Sequence, residues 1–210
     1  DSEDMLVGGI EYKEARSLVS ASIASLVEAT ADIDRIVRGL KDFVVPDTAP
    51  FEDGLNISAV ARASAELVSS QIKKATSRFS LDLDPSVPGV RGNFHRLKQV
   101  MVNLLQNSCQ AINDQSQAIV LSTRFEAEAN QVVVVISDEG CGIYEELLDQ
   151  LKIPFYTTKA RSGGMGLGVT ISNAIVEEHG GSLVYESDPV KGTRAVIRIP
   201  CAAPLDGMGR

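Results

Sequence analysis

A heptad pattern runs through the N-terminal part of the chain. Between Glu11 and Val44 apolar residues recur in alternating steps of four and three, and no proline interrupts the stretch. A repeat of about 3.5 residues is typical of the seam of a coiled coil or a four-helix bundle. It predicts a long helix that needs partners to bury its stripe, from a second copy or from a neighbouring segment; packing against its own domain is the alternative. The seam comprises Val19, Ile23, Leu26, Thr30, Ile33, Val37, Leu40 and Val44.

The proline-bounded linker Pro46–Pro50 ends this helix, and helical and strand patterns alternate beyond it. The strands pair as hairpins with helices between them. This predicts an α+β fold, an α/β sandwich in which helices cover one face of a mixed sheet. We expect a helical segment at 1–46, an α/β domain at 47–200 and a tail at 201–210. The predicted helices are Ser58–Lys74, Asn93–Ile112 and Leu167–His179, and the predicted strands are Phe79–Leu83, Ala118–Phe125, Gln131–Ser137, Ser182–Glu186 and Arg194–Ile199.

Composition narrows the class of partner. The chain has 210 residues, 44% hydrophobic and 23% charged, which is the balance of a soluble globular protein. Its 28 acidic and 20 basic side chains give a net charge of −8, so we expect no nucleic-acid partner. Three scattered cysteines fit neither a disulfide framework nor a zinc site and favour the cytoplasm. No apolar run approaches the roughly 18 to 20 residues of a membrane helix. We therefore expect no membrane contact by this segment, with anchoring of a longer parent protein left open.

The predicted helix Asn93–Ile112 carries four amides on one face, at Gln99, Asn103, Asn107 and Gln110. An ordinary solvated face would carry Lys and Glu. Neutral amides suggest a polar cavity, where an oxygen can ligate Mg²⁺ without adding charge. A solvated face is the alternative interpretation.

An acid and two glycines follow the most apolar strand. Val132–Ile136 is wholly apolar, which predicts a strand buried on both sides and places Asp138 near its end. A carboxylate there can accept a hydrogen bond from an exocyclic amine such as that of adenine. Gly140 and Gly142 would let the backbone pass close to a flat group. A plain turn is the alternative, because Asp and Gly are common turn residues.

A second glycine-rich segment, Gly163–Gly168, precedes a predicted helix. Backbone N–H groups at a helix N-terminus favour phosphate. The segment is not a Walker loop, since no Lys-Ser or Lys-Thr follows, and the dinucleotide spacing fails at Val169. Lys159 and Arg161 stand just ahead of the glycines, within reach of a terminal phosphate. A surface loop is the alternative. The later Gly192–Thr193 pair indicates little by itself.

Taken in order, these motifs resemble the catalytic ATPase domain of two-component sensor histidine kinases. The resemblance covers roughly Pro50–Pro200, and the short lid with Thr157–Lys159 is similar to that of the nitrogen-regulation type. Upstream, Ile33–Phe43 resembles the second helix of the family's dimerisation and phosphoacceptor hairpin. The matching residues are Gln99, Asn103, Asn107, Asp138, Gly140, Gly142, Pro154–Lys159, Gly164–Gly168 and His179–Gly181.

The resemblance implies the Bergerat ATP-binding fold, with ATP and Mg²⁺ as cofactors. Asn107 would ligate Mg²⁺ and Asn103 would sit beside the phosphates. Asp138 would bind the adenine amine, with Thr193 supporting it through water. Lys159 would meet the γ-phosphate, and the glycine loop would close over the triphosphate. The implied ATP site comprises Asn103, Asn107, Gln110, Asp138, Gly140, Gly142, Ile143, Phe155, Thr158, Lys159, Arg161, Gly164, Met165, Gly166, Leu167, Gly168 and Thr193.

The family's phosphoacceptor, a histidine followed by an acidic residue, is absent. Here His95 precedes Arg96, and His179 precedes Gly180 at a predicted helix end. We expect the acceptor to lie outside this sequence, so that the chain binds ATP but cannot phosphorylate itself. The implied partners are a second copy, through the N-terminal helix, and the receiver domain of a response regulator.

Two other functions remain open. An ATP hydrolase of the gyrase or heat-shock chaperone type shares the fold, but it places a Glu general base one turn before the Mg-binding Asn, where this chain has Asn103. The second is a non-catalytic ATP-binding scaffold. The intact phosphate-facing motifs argue against it.

Overall fold

The computed structural model describes residues 6–7, 10–11, 14–27, 29–30, 50–154, 156 and 166–202. Tertiary contacts divide the chain into two units, Asp1–Pro46 and Asp47–Arg210. None of the helices so described is both long and apolar enough to cross a membrane.

The first unit contains a short hairpin and a helix. Strands β1 (Leu6–Val7) and β2 (Ile10–Glu11) pair antiparallel. The sequence did not predict them, because two-residue strands leave no periodicity to detect. Helix α1 follows, with helical residues at 14–27 and 29–30.

The apolar stripe of α1 is exposed. Val19, Ile23 and Leu26 belong to the predicted seam, and more than half of each side chain is accessible to solvent. An exposed stripe of this kind fits a helix whose partner is another chain or segment. The remaining apolar seam positions lie outside the described residues; they are Ile33, Val37, Leu40 and Val44.

A five-stranded mixed sheet forms the centre of the second unit. The strands of this unit are β3 (Glu52–Leu55), β4 (Arg78–Leu83), β5 (Val90–Gly92), β6 (Ala118–Glu126), β7 (Gln131–Asp138), β8 (Ser182–Asp188) and β9 (Gly192–Pro200). The large sheet has the order β4–β6–β7–β9–β8, and only its β4–β6 pair is parallel. Strands β3 and β5 form a separate antiparallel pair that was not predicted. The mixed sheet, with its helices, confirms the predicted fold class.

The helices lie close to their predicted positions, with one correction. They are α2 (Ile57–Leu67), α3 (Ser69–Ala75), α4 (Phe94–Ala111), α5 (Glu145–Leu148) and α6 (Gly168–Glu178), and a 3₁₀ turn covers Asp149–Lys152. The single helix predicted over Ser58–Lys74 is wrong, because the backbone leaves the helical region at Val68 (φ −101°, ψ 14°). Apolar spacing continues across this break through Ala65, Val68 and Ile72, so periodicity could not detect it.

Helices α2, α4 and α6 and one face of the sheet share the main core. On β7, Val132, Val134 and Ile136 join this core, and Val133 and Val135 pack with Val196 in a second, small cluster. The prediction that this strand is buried on both sides is therefore confirmed. Asp138 has the same parity as Ile136, so it lies on the helix-covered face.

His179 joins the end of α6 to the beginning of α4. Its ring is buried, with Nδ1 2.6 Å from the Ile175 carbonyl oxygen and Nε2 3.0 Å from the Asn93 backbone nitrogen. The carbonyl can only accept and the amide can only donate, so the ring is the neutral tautomer with its proton on Nδ1. The Phe51 ring packs against the imidazole at a tilt of 32°, with 4.5 Å between the ring centroids. Beside it, Arg96 pairs with Glu178 at 2.5 Å.

We expect the fold to lose stability on mild acidification because of His179. Burial lowers the pKa of this imidazole below its ordinary value of 6.5; the Ile175 carbonyl and Glu178 oppose this effect, and Arg96 adds to it. The folded chain therefore binds the proton less readily than the unfolded chain. The stability that depends on this group is present above the unfolded-state pKa and is lost as the pH falls through the folded-state pKa.

Urea unfolding at about pH 8 and about pH 5.5 measures this loss, and His179→Gln should reduce the difference between the two pH values. His95→Gln, which removes the exposed histidine, is the control and should keep the wild-type difference. An undiminished pH dependence in His179→Gln would contradict the assignment.

Candidate nucleotide-binding site

The predicted site residues that the structure describes come from α4, from the end of β7 and the segment after it, from the start of β9, and from the start of α6. Direct contacts join these elements. A side chain at Gly140 would meet the backbone of Ala111 at the end of α4, and one at Gly168 would meet Asn103. Asp138 lies opposite Thr193 in the β7–β9 ladder. Four separate sequence signals thus converge on one edge of the second unit.

Helix α4 presents its amide face to this edge. The Asn93 side chain caps the helix by accepting from the Arg96 N–H at 3.0 Å. Asn103 and Asn107 are half-buried and Gln110 is exposed. The opposite face enters the core through residues that include Leu97, Met101, Leu104, Leu105 and Ser108.

Asn103 connects α4 to α6. Its Nδ2 donates to the Ser172 hydroxyl at 2.9 Å, and a Cβ on Gly168 would lie 2.4 Å from its Oδ1. Ser172 is buried, and sequence reasoning missed it because a serine inside an amphipathic helix gives no distinct signal. This amide therefore positions the first turns of α6.

Asp138 is a buried carboxylate held by backbone donors. Only 6% of the residue is exposed. Its Oδ1 accepts from the Gly140 N–H at 3.0 Å and from the Thr193 N–H at 3.4 Å. These donors fix the position of the carboxylate at the end of β7. Burial, followed by the charge of Asp138, raises the pKa of the nearby Cys109 thiol, so Cys109 stays protonated.

The glycines after Asp138 have a different physical reason from the one expected. A Cβ on Gly140 would lie 2.5 Å from the Ala111 carbonyl oxygen, and one on Gly142 (φ 62°) would lie 2.2 Å from that of Asp188. The close approach that excludes side chains here is therefore to protein backbone. Whether these glycines also border a base stays a prediction.

Ser187 is a site residue that the sequence did not reveal. Its Oγ accepts from the Ile143 N–H at 2.8 Å and lies 2.9 Å from Thr193 Oγ1 and 3.1 Å from the Gly192 carbonyl oxygen. It joins the segment after β7 to the start of β9. A serine at a strand end is too common to stand out, and only the three-dimensional contacts identify it.

The start of α6 is suited to an anion. Gly166 has φ 66°, Leu167 is buried, and among the described residues no side chain caps the helix N-terminus at Gly168. Uncapped N–H groups and the helix dipole attract negative charge. Six predicted lid residues lie outside the described residues: Phe155, Thr158, Lys159, Arg161, Gly164 and Met165.

The donor set fits a cation that is bound mainly through a ligand. Within the described ranges, no group of three or more His, Cys, Asp or Glu could hold a metal ion. Mg²⁺ keeps several waters and takes substrate phosphates together with one or two protein oxygens. The half-buried Asn107 can supply one such oxygen.

Comparison with known proteins agrees with this geometry. The profile of the family described as histidine kinase-, DNA gyrase B-, and HSP90-like ATPases matches residues 92–203. The chain belongs to this family.

The relatives it resembles are sensor kinases. It is 32% identical over 174 residues to sporulation kinase E of Bacillus subtilis (strain 168), covering 81% of this chain and 23% of that protein. It is 29% identical over 179 residues to the sensor histidine kinase ZraS of Escherichia coli (strain K12), covering 85% of this chain and 37% of that one. The chain thus spans well under half the length of either relative.

A solved structure gives the same result. The catalytic domain of histidine kinase ThkA has a TM-score of 0.63 and 29% identity, covering 72% of this chain and 96% of that domain. ThkA in complex with the response regulator protein TrrA has a TM-score of 0.69 at 24% identity, covering 88% of this chain and 52% of that one, which supports the fold. The second unit is a histidine kinase catalytic domain of the Bergerat type.

Gly192 should tolerate no side chain, because its position controls the Asp138 end of the sheet. At φ 92° its Cβ would lie 1.9 Å from the Asp138 carbonyl oxygen, whereas Gly54 also has a positive φ (79°) but open space around it. We expect Gly54→Ala to cost roughly 1 to 2 kcal/mol of unfolding free energy, from backbone strain alone. Gly192→Ala should cost at least about 2 kcal/mol more, because the overlap adds to that strain. Urea unfolding compares the two variants, and equal losses would contradict the packing described.

Proposed function

We propose that this chain is the ATP-binding catalytic part of a sensor histidine kinase. It binds Mg-ATP and supplies the γ-phosphoryl group to a histidine outside these 210 residues, for relay to a response regulator. The main support for this proposal is the buried Asp138 carboxylate. Backbone donors orient it at the edge where the amide face of α4 meets the start of α6.

The base lies at Asp138. An ionised carboxylate only accepts hydrogen bonds, so it pairs with the exocyclic amine of adenine. Thr193, whose N–H contacts the same carboxylate, supports the amine through water. Gly140, Gly142 and Ile143 border the ring.

The phosphates lie between α4 and the start of α6. Asn107 holds Mg²⁺, and Asn103 and Gln110 stand beside the phosphates; bound Mg²⁺ would offset the charge that builds up on the phosphate oxygens. The N-terminus of α6, which no described side chain caps, faces the anion. The lid completes the site, with Lys159 and Arg161 as charge partners of the terminal phosphate. The other lid contacts in this proposal are Phe155, Thr158, Gly164, Met165, Gly166, Leu167 and Gly168.

Phosphoryl transfer requires a partner. The protein positions the nucleotide and stabilises the charge of the transferring group, and positioning supplies much of the rate. The acceptor is a histidine on a dimerisation hairpin, whose second helix corresponds to the segment that contains α1. The exposed seam of α1 supports pairing with a second copy. ThkA, a relative of known structure, forms a complex with a response regulator.

Hydrolysis to solvent is a poorer fit to the site. The position of a general base one turn before Asn107 holds Asn103, whose amide cannot take a proton and whose Nδ2 is bonded to Ser172. The sensor-kinase relatives also favour transfer to a histidine over hydrolysis or a purely scaffolding role.

Asp138→Asn should weaken ATP binding by at least about 10-fold. In one orientation the new amide turns its N–H₂ group toward the adenine amine, and in the other a neutral hydrogen bond replaces the charge-assisted one. Asn107→Ala should weaken it only when Mg²⁺ is present. Isothermal titration calorimetry with Mg²⁺ or with EDTA separates the two effects. The exposed Asp82→Asn and Asn113→Ala variants are matched controls. Undiminished affinity in Asp138→Asn and Asn107→Ala would contradict the site.

Transfer itself can be tested with a separate helical fragment that carries a histidine followed by Glu or Asp. With γ-labelled Mg-ATP, this chain should place acid-labile phosphate on that histidine and none on itself. The Asp138→Asn variant should lose the transfer. Bound nucleotide without transfer to any such fragment would leave only the scaffold function.

A further inference from the structure

The Ser187 hydroxyl makes three contacts whose directions can be assigned by counting protons. The Ile143 backbone N–H lies 2.8 Å away and can only donate. The Gly192 carbonyl oxygen lies 3.1 Å away and can only accept. Thr193 Oγ1 lies 2.9 Å away and can do either.

One assignment satisfies all three contacts. Ser187 has one proton and two lone pairs. If its proton goes to the Gly192 carbonyl, one lone pair accepts from Ile143 and the other accepts from the Thr193 hydroxyl. If its proton went to Thr193 instead, the Gly192 oxygen would face a lone pair at 3.1 Å. The first assignment therefore governs, and the Thr193 proton points at Ser187.

Consequently Thr193 presents only lone pairs to the rest of its surroundings. Its oxygen has no side-chain hydrogen bond other than that to Ser187 in the described part of the chain. The neighbouring Asp138 carboxylate, which Thr193 contacts through its N–H, is also an acceptor. The two side chains form a surface that accepts hydrogen bonds and offers no donor from either.

We propose that Ser187 is a specificity-positioning residue, which selects purines with an amine at the six position over purines with an oxygen there. It does so without touching the base, by fixing the direction of the Thr193 proton. The inference rests on the proposed binding of adenine at Asp138. The two ligands to compare are ATP and inosine triphosphate. At the six position ATP has an amine, which donates a hydrogen bond, and inosine triphosphate has a carbonyl oxygen, which accepts one.

The chemistry of the mismatch explains the selection. A six-position oxygen would face the acceptors Asp138 and Thr193 directly, or it would share with both of them one bridging water, whose two protons cannot serve three acceptors. When Ser187 is removed, the Thr193 hydroxyl can rotate and donate toward that oxygen. Discrimination therefore falls because the wrong purine binds better relative to ATP.

The experiment measures the dissociation constants of ATP and inosine triphosphate, each with Mg²⁺, by calorimetry. In Ser187→Ala the preference for ATP should fall by roughly 3- to 10-fold, the effect of one neutral hydrogen bond. Ser187→Thr restores a hydroxyl and should recover most of the preference. Ser182→Ala, at the exposed start of β8, is the matched control and should change neither constant.

A double-mutant comparison separates positioning from packing. Thr193→Val removes the hydroxyl that Ser187 orients. The double variant with Ser187→Ala should therefore have the same ATP preference as Thr193→Val alone. If Ser187→Ala weakens both nucleotides by the same factor, or leaves the preference intact, Ser187 has only a structural role and the inference is wrong. Failure of the wild-type chain to bind ATP is a different result, which overturns the proposed function itself.

Discussion

The antiparallel register between β7 and β9 is the constraint on which the site depends. It sets Asp138 opposite Thr193 at the last pair of the ladder, so that a buried carboxylate meets a backbone donor from the neighbouring strand. Gly192 lets the start of β9 lie against the Asp138 carbonyl, where a side chain has no room. A slip of one residue would carry the carboxylate to the opposite face of the sheet. The site is thus specified by the same pairing that builds the core.

The helix layer adds the second half of the site through close backbone approach. Gly140 packs on the end of α4, and Gly168 packs on Asn103 in the middle of it. Neither position has room for a side chain. The segment after Asp138 and the start of α6 therefore both lie directly against α4. The polar face of α4 therefore meets two different kinds of group, a buried carboxylate and the N–H groups at the start of α6, which favour an anion.

Much of this arrangement could be predicted from the sequence, for identifiable reasons. Long periodic segments such as α4 and β7 carry many independent positions, and the ordered motifs placed Asp138 and the amides at one site. The break at Val68 was missed because apolar spacing continues through it. Ser172 and Ser187 were missed because their roles depend on partners 69 and 44 residues away in sequence, at Asn103 and Ile143. Local pattern encodes the elements; it does not encode which hydroxyl meets which amide.

The two ends of α6 have separate attachments to the same neighbouring helix. Near its beginning Ser172 is bonded to Asn103, and at its end His179 and Glu178 are bonded to Asn93 and Arg96. A helix that is attached at two separate points cannot rotate against its neighbour or slide along it without breaking one of the attachments. Helices α4 and α6 should therefore move as one rigid unit, so that a force that displaces one helix also displaces the other.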